Sequence, residues 1–221
     1  NIPIFEKINY LVYNMSKMRF ITSVITGDII QSRKTSTPVW LPKLKRTLSL
    51  EGKSPGTWQV YRGDSFQVEV TDPTRAFLTV IRIKATIKSI KNLDVRMAIG
   101  IGDKKYTSKS VAESDGGAFV HSGEKFETLK KNKQTLAIQT NWPDFDREMN
   151  VFFRLATIPM DNWTTNSAEL IQIVTNHPNL TQKAIAKRLG VTQPSISERQ
   201  NRAHFDEVME LEELFREKVT R

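Results

Sequence analysis

Apolar, β-branched residues gather first in Phe20 to Ile25, and the run closes at Gly27-Asp28 before turning polar and basic through Gln31-Ser32-Arg33-Lys34. That pattern predicts a strand buried on both faces. Thr37-Pro38 predicts a helix start, with Thr as cap and Pro in the first turn. Leu41, Leu44 and Leu48 form its inward face, and Pro42 argues for a delayed start. Glu51 to Gly56 reads as a loop. Trp58 to Arg62 and Ser65 to Val70 are β-rich, and Gly63-Asp64 between them predicts a tight hairpin. Asp72-Pro73 predicts the cap of a long helix with Val80, Ile83, Ile87 and Ile90 on one stripe. Val95 to Ile101 predicts a central strand. A helix near Ala118 to Lys130, a strand over Gln134 to Gln139 and a helix from about Asp146 to Met160 complete this part.

The order is β-α-β-β-α-β followed by α-β-α. It predicts an α+β, ferredoxin-like domain: a split βαβ sheet with helices on one face. In that arrangement the first and third strands are neighbours at the centre, and the hairpin turn lies near the end of the first strand. Asp28 then stands beside Asp64. A carboxylate at the end of a buried strand is costly unless a metal ion, a hydrogen-bond donor or a cation meets it, and two side by side repel. A hard divalent cation such as Mg or Mn between Asp28 and Asp64 would answer both problems. Arg33 and Arg62 would then offer bidentate contacts to phosphate. The competing expectation is that both Asp residues are turn residues.

Before the first strand, Ile4, Phe5, Ile8, Leu11 and Val12 have helical spacing but lack the cleavage site of a signal peptide. The expectation is that the natural start is Met15 or Met18, with residues 1–17 an N-terminal extension or helix.

Beyond Trp163 the pattern becomes all-helical. Thr164 or Thr165 is a candidate cap for a helix through Val174, and His177-Pro178-Asn179 breaks it. Thr181 caps the next helix, which holds Ala184, Ile185 and Leu189 inside. Gly190 supplies a positive-φ corner, and Gln193-Pro194 starts the following helix with Ile196 facing inward. Lys183 and the outward candidates Ser195, Ser197, Arg199, Gln200 and Arg202, with Gln193, form a helix-turn-helix surface suited to duplex DNA. Gln and Ser reach base edges there, while Arg and Lys hold phosphates.

Charge sharpens this picture. The 221-residue chain carries a net charge of +9, which favours an anionic partner. From Thr181 to Arg202 there are five cations and one anion, whereas Ala203 to Arg221 has three cations and six anions. The basic surface therefore belongs to the helix pair. Phe205, Val208, Met209, Leu211, Leu214 and Phe215 exceed what a lone helix needs, so the last helix packs back or pairs with a second copy, and a homodimer would suit two DNA half-sites. The chain has no cysteine, which excludes disulfides and thiolate chemistry, and its three His residues are scattered. The longest apolar runs fall far below membrane-spanning length, which predicts a cytoplasmic protein.

Several stretches resemble known proteins. Asp28-Ile29, Gly63-Asp64-Ser65-Phe66 and Val95 to Gly102 are similar to the palm of class III nucleotide cyclases. The set Gly27-Asp28-Ile29-Ile30-Gln31-Ser32-Arg33, Gly63-Asp64-Ser65-Phe66-Gln67 and Ser114-Asp115-Gly116-Gly117-Ala118-Phe119, followed by the helix-turn-helix, resembles the SatD-like family of bacterial proteins. The resemblance implies a metal site at Asp28 and Asp64 and a phosphate or nucleotide site at Gly27, Ser32, Arg33, Arg62 and Asp115. It implies a palm over residues 18–160 and a DNA-binding domain over 161–221, but no established reaction. Cyclases place an Asn and an Arg after the Gly-Ile strand; Ala118 to Lys125 holds neither, and Lys125 is the candidate substitute. The leading expectation is a DNA-binding regulator whose palm senses a nucleotide or metal. A metal-dependent nucleotidyl-transfer enzyme and an inactive assembly palm are the alternatives, so whether the chain is an enzyme stays open.

Overall fold

A computed structural model describes residues 21–32, 39–61 and 63–220. The expected N-terminal helix, the Thr37-Pro38 helix start, Arg33 and Arg62 lie outside them. The protein is an α+β structure built on a five-stranded mixed sheet. The strands are β1 (Ile21–Ile30), β2 (Trp58–Tyr61), β3 (Ser65–Val70), β4 (Asp94–Asp103) and β5 (Leu136–Gln139). They lie in the order β2-β3-β1-β4-β5. All neighbours are antiparallel except β4 and β5, which run parallel.

Among the helices, α1 (Trp40–Leu48), α2 (Ala76–Lys88) and α3 (Gly117–Lys131) follow β1, β3 and β4. Helix α4 (Pro143–Asp161) follows β5, and α5 (Thr165–Asn176), α6 (Gln182–Leu189), α7 (Gln193–Arg202) and α8 (Phe205–Val219) close the chain. Pro42 sits in the first turn of α1, where its missing N–H costs nothing. Asp72 accepts from the Thr74 backbone N–H and caps a 3-10 turn that leads into α2.

The alternation along β1 sorts its side chains. Ile25 and Ile29 join Phe66, Val68, Met97 and Ile99 in the main core, which α1, α2 and α4 cover. Val24 and the even-numbered neighbours face the other way, toward Ala118 and Phe119 of α3. Helices therefore cover both faces, which corrects the expectation of one covered face. Two glycines explain the difference. A Cβ at Gly100 would meet the Ala118 carbonyl oxygen at 2.2 Å and the Ser122 nitrogen at 2.3 Å, and one at Gly102 would meet the Ala118 nitrogen at 2.7 Å. The absence of side chains there lets the α3 backbone settle on β4. A Thr26–Ser122 hydroxyl pair at 3.0 Å fixes α3 to β1.

The core does not stop at the sheet. Trp163, Ile171, Phe205 and Phe215 belong to the same buried cluster as Ile25 and Ile99. Among the described residues, no helix is long and apolar enough to cross a membrane.

The close approach of α3 is testable. Gly100→Ala is expected to destabilise by about 1–3 kcal/mol, because backbone atoms cannot yield to the added methyl. Gly123→Ala meets open space and is expected to stabilise the helix by about 0.5–1 kcal/mol. Urea denaturation of the two variants measures both, and effects of the same sign would contradict this packing.

Candidate functional site

Two regions hold the residues that the sequence singled out. The first is the end of β1. Asp28 pairs across the sheet with Ser65 on one side and Arg96 on the other. Asp64 comes close through its backbone, since its carbonyl accepts from the Ile29 N–H at 3.1 Å. The two Asp residues are thus brought together, as the hairpin placement implied. Ser32 joins them, donating to Asp64 Oδ2 at 2.6 Å.

What satisfies Asp28 is a cation of the chain itself. Arg96 Nε donates to Oδ1 at 3.0 Å and Nη2 to Oδ2 at 2.7 Å. This fork geometry matches a guanidinium to both carboxylate oxygens. Both side chains are 22% exposed, so solvent screens the pair only in part. The signal for Arg96 was present: it is the polar residue of an otherwise apolar stretch of β4, on the same sheet face as Asp28. These residues do not suit a divalent cation. One carboxylate is engaged at both oxygens, and among the described residues no cluster of three or more His, Asp or Glu side chains suits a metal.

The remaining expected phosphate ligands are placed differently. Gly27 faces the core, where a Cβ would meet Phe66 Cζ at 2.5 Å and the Arg96 carbonyl at 2.7 Å. Packing of Phe66 explains that glycine. Asp115 lies beyond the other end of β4: its backbone bridges to Tyr106, and its side chain accepts from the Gly116 N–H at 2.7 Å. Gly117 donates to Asp103, which pairs with Ile21 at the start of β1. From Arg96 to Asp103 the strand runs roughly 23 Å, at about 3.3 Å per residue, so Asp115 is not gathered with Asp28 and Asp64. A row of polar side chains fills the sheet face between these ends: Gln67 donates to Thr26, and Thr22 and Lys104 donate to buried Glu69.

The second region is the helical unit. Thr164 caps α5 by accepting from the Ser167 N–H, and Thr181 caps α6 by accepting from the Ala184 N–H. Helix α6 ends at Gly190 in the left-handed region, φ 65° and ψ 33°. The Val191 N–H then returns to the Ala186 carbonyl at 3.0 Å and closes a tight corner. Helix α7 begins with Pro194 in its first turn. Leu170, Ile185, Ala186 and Ile196 form a small core beneath the corner.

Lys183, Lys187 and Arg188 on α6 are exposed, as are Thr192 and Gln193 at the start of α7. Gln193 donates to Gln182 at 3.4 Å, and Ser195 shares a hydroxyl bond of 3.0 Å with Thr192. Ser195 and Ser197 are half-buried. Arg199 and Gln200 are also half-buried, because they follow Ile196 at helical spacing and share its side of α7. Gln200 turns to Asp206 at 2.6 Å. Arg202 is exposed and paired with Glu198 one turn earlier. The outward surface at the start of α7 is thus Thr192, Gln193 and Pro194, and the sequence reading missed Thr192.

The chain thus defines an α+β class in which a mixed five-stranded sheet precedes a unit of short, capped helices. The SatD family model matches residues 21–206, from the first strand into the last helix, so the chain belongs to the SatD family. No curated protein matches it.

The Asp28–Arg96 pair gives a stability prediction. Asp28→Asn and Arg96→Met are each expected to destabilise by about 1–3 kcal/mol, since each leaves a partly buried partner unmatched. The double variant is expected to lose less than the sum, with a coupling of about 1 kcal/mol or more. A denaturant cycle of the four proteins decides; additive losses would mean that the two groups do not interact.

Proposed function

We propose that this protein is a DNA-binding transcriptional regulator, with a cyclase-like palm over residues 18–160 and a helix-turn-helix over 161–221. The observation that carries the reading is the α6–α7 corner: a capped helix, a left-handed Gly190 and a Pro-started helix whose exposed first turn carries Gln193. That geometry suits entry of α7 into a major groove, with its N-terminal residues near base edges. Exposed Lys183 and Lys187 suit phosphate neutralisation alongside. A DNA-binding role fits a cytoplasmic location.

The strand order β2-β3-β1-β4 and the Gly63-Asp64 hairpin beside β1 support the palm reading. In this reading the palm is a sensing and structural body. The Arg96 clamp on Asp28 weighs against nucleotidyl transfer there, because a metal ion would have to displace a guanidinium from both oxygens.

The dimer is part of the same proposal. An open groove of about 820 Å³ lies between α4 and α8, lined by Phe152, Leu155, Ile158, Leu211 and Leu214. Leu155 and Ile158 are 58% and 65% exposed. A second copy related by a twofold axis would cover this face and present two α7 helices to two half-sites.

Two measurements follow. Replacing Lys183 and Lys187 with Ala is expected to weaken duplex binding and to lower the salt slope by about one for each phosphate no longer neutralised. Gln193→Ala is expected to relax sequence preference, at about 1–3 kcal/mol for the preferred base. Unchanged salt slopes on fragments from the protein's own promoter would contradict the interface. Separately, Leu155→Glu with Ile158→Glu is expected to yield a monomer by sedimentation, with weaker binding to paired half-sites. A wild-type chain that sediments as a monomer would remove the dimer from the account.

A further inference from the structure

A second cleft, of about 550 Å³, lies where α1, α2, α5 and α6 meet, and Asp28 is not among its lining residues. Its charged walls are of one sign. Lys43 and Arg46 come from α1, Arg75 from the turn before α2, Arg82 from within α2 and Arg188 from the end of α6. Among the described residues no carboxylate lines it. Leu50 and Ile173 supply apolar wall, and Gln172 and Asn176 supply amides.

The charge balance behind the walls leaves an excess of cations. Glu51 accepts from Thr79 at 2.9 Å and from Arg75 at 3.5 Å. Glu212 is held by Arg216 at 3.0 Å. Arg82 is the recessed member: Nη2 donates to the Thr175 carbonyl at 2.7 Å, and Nε is buried with no acceptor among the described residues. Burial lowers its pKa from the usual guanidinium range; Glu51 opposes that shift, Arg75 adds to it, and Glu212 opposes it again. Converging like charges on one cleft costs free energy that a bound anion would recover.

We propose that this cleft binds a small molecule bearing a di- or triphosphate. Five cations spread around the walls exceed what one phosphate can engage, and a chain of phosphates spans them. The volume falls within the range of about 300–1,000 Å³ usual for small-molecule sites. Leu50 and Ile173 offer a surface for an uncharged moiety. Duplex DNA fits less well, because Arg82 is half-buried at the base of four converging helices. A ligand here joins α1 and α2 to α5 and α6, so it fixes the pose of the α6–α7 corner. That consequence rests on the DNA-binding reading, whereas the binding itself does not.

The test is calorimetric titration of the full chain, in EDTA, with inorganic pyrophosphate, tripolyphosphate and ATP, against orthophosphate and sulfate. The polyphosphates are expected to bind and the monoanion controls to bind far more weakly. Lys43 and Arg46 are exposed, so Lys43→Glu with Arg46→Glu leaves the fold intact and is expected to weaken binding about tenfold or more. Lys130→Glu with Lys131→Glu makes the same charge change on α3 and is expected to leave binding unchanged. Arg188→Glu, on a different helix, is expected to weaken it as the α1 variants do. No binding of any polyphosphate at millimolar concentration overturns the proposal. Equal weakening in the α1 and α3 variants overturns it in favour of diffuse surface charge. Displacement of pyrophosphate by duplex DNA, with a parallel loss of duplex affinity in the α1 variant, assigns the cleft to the DNA surface and also overturns it. Polyphosphate binding without any duplex binding supports the cleft and removes the DNA-binding function instead.

Discussion

The burial of Phe215 holds the molecule in one piece. Its ring lies 5.9 Å from that of Phe77 on α2 and 6.1 Å from that of Phe153 on α4, at the tilted angles that aromatic rings favour. Truncating a buried Phe of this kind costs about 3–5 kcal/mol, a large part of the stability of an ordinary domain. Because Phe215 belongs to α8, the last helix cannot leave the sheet without opening the main core. Trp163 ties the other end of the helical unit, its indole N–H donating to the Ala203 carbonyl at 2.8 Å. Arg82 and Gln172 add bonds between α2 and α5. The helix pair α6–α7 is thus mounted on a fixed base, and its capped corner projects from it.

This mounting couples the two halves mechanically. A free carboxylate pair at the end of β1 would suit chemistry, but Arg96 has taken Asp28 and α3 covers the sheet face on which both lie. Cations in excess of carboxylates gather instead where the sheet's helices meet the helical unit. Asp28 and Glu69 on the sheet are paired with Arg96 and Lys104, whereas five cations line the junction. On the proposed reading, a ligand at that junction would act on the α6–α7 corner.

Much of this was legible in the sequence. The adjacency of β1 and β3 followed from the order of elements, and the Gly63-Asp64 turn placed Asp64 by Asp28 through β-ladder geometry alone. The Thr181 cap, Gly190 and Pro194 marked the helical corner because caps and breakers act locally. Partners set by the register of distant strands were less accessible. Arg96 meets Asp28 across a gap of many residues, and the choice of guanidinium over metal depends on that register. The second covered face was hidden because Gly100 and Gly102 read as strand-weakening residues until the backbone of α3 is laid against them. The outward set of α7 was partly misjudged: Ile196 fixes the inner side, and Arg199 and Gln200 turn with it. The basic cleft joins residues from four helices, and no local pattern announces such a convergence.

Hydrogen–deuterium exchange of the full chain, with and without duplex DNA from its own promoter, locates the surface that the duplex covers. Protection is expected over residues 181–202, strongest at the start of α7, while the α4–α8 groove and the Asp28 end of the sheet change little. Protection absent from 181–202, or concentrated on the sheet, would contradict the assignment of α6–α7 as the DNA-binding surface.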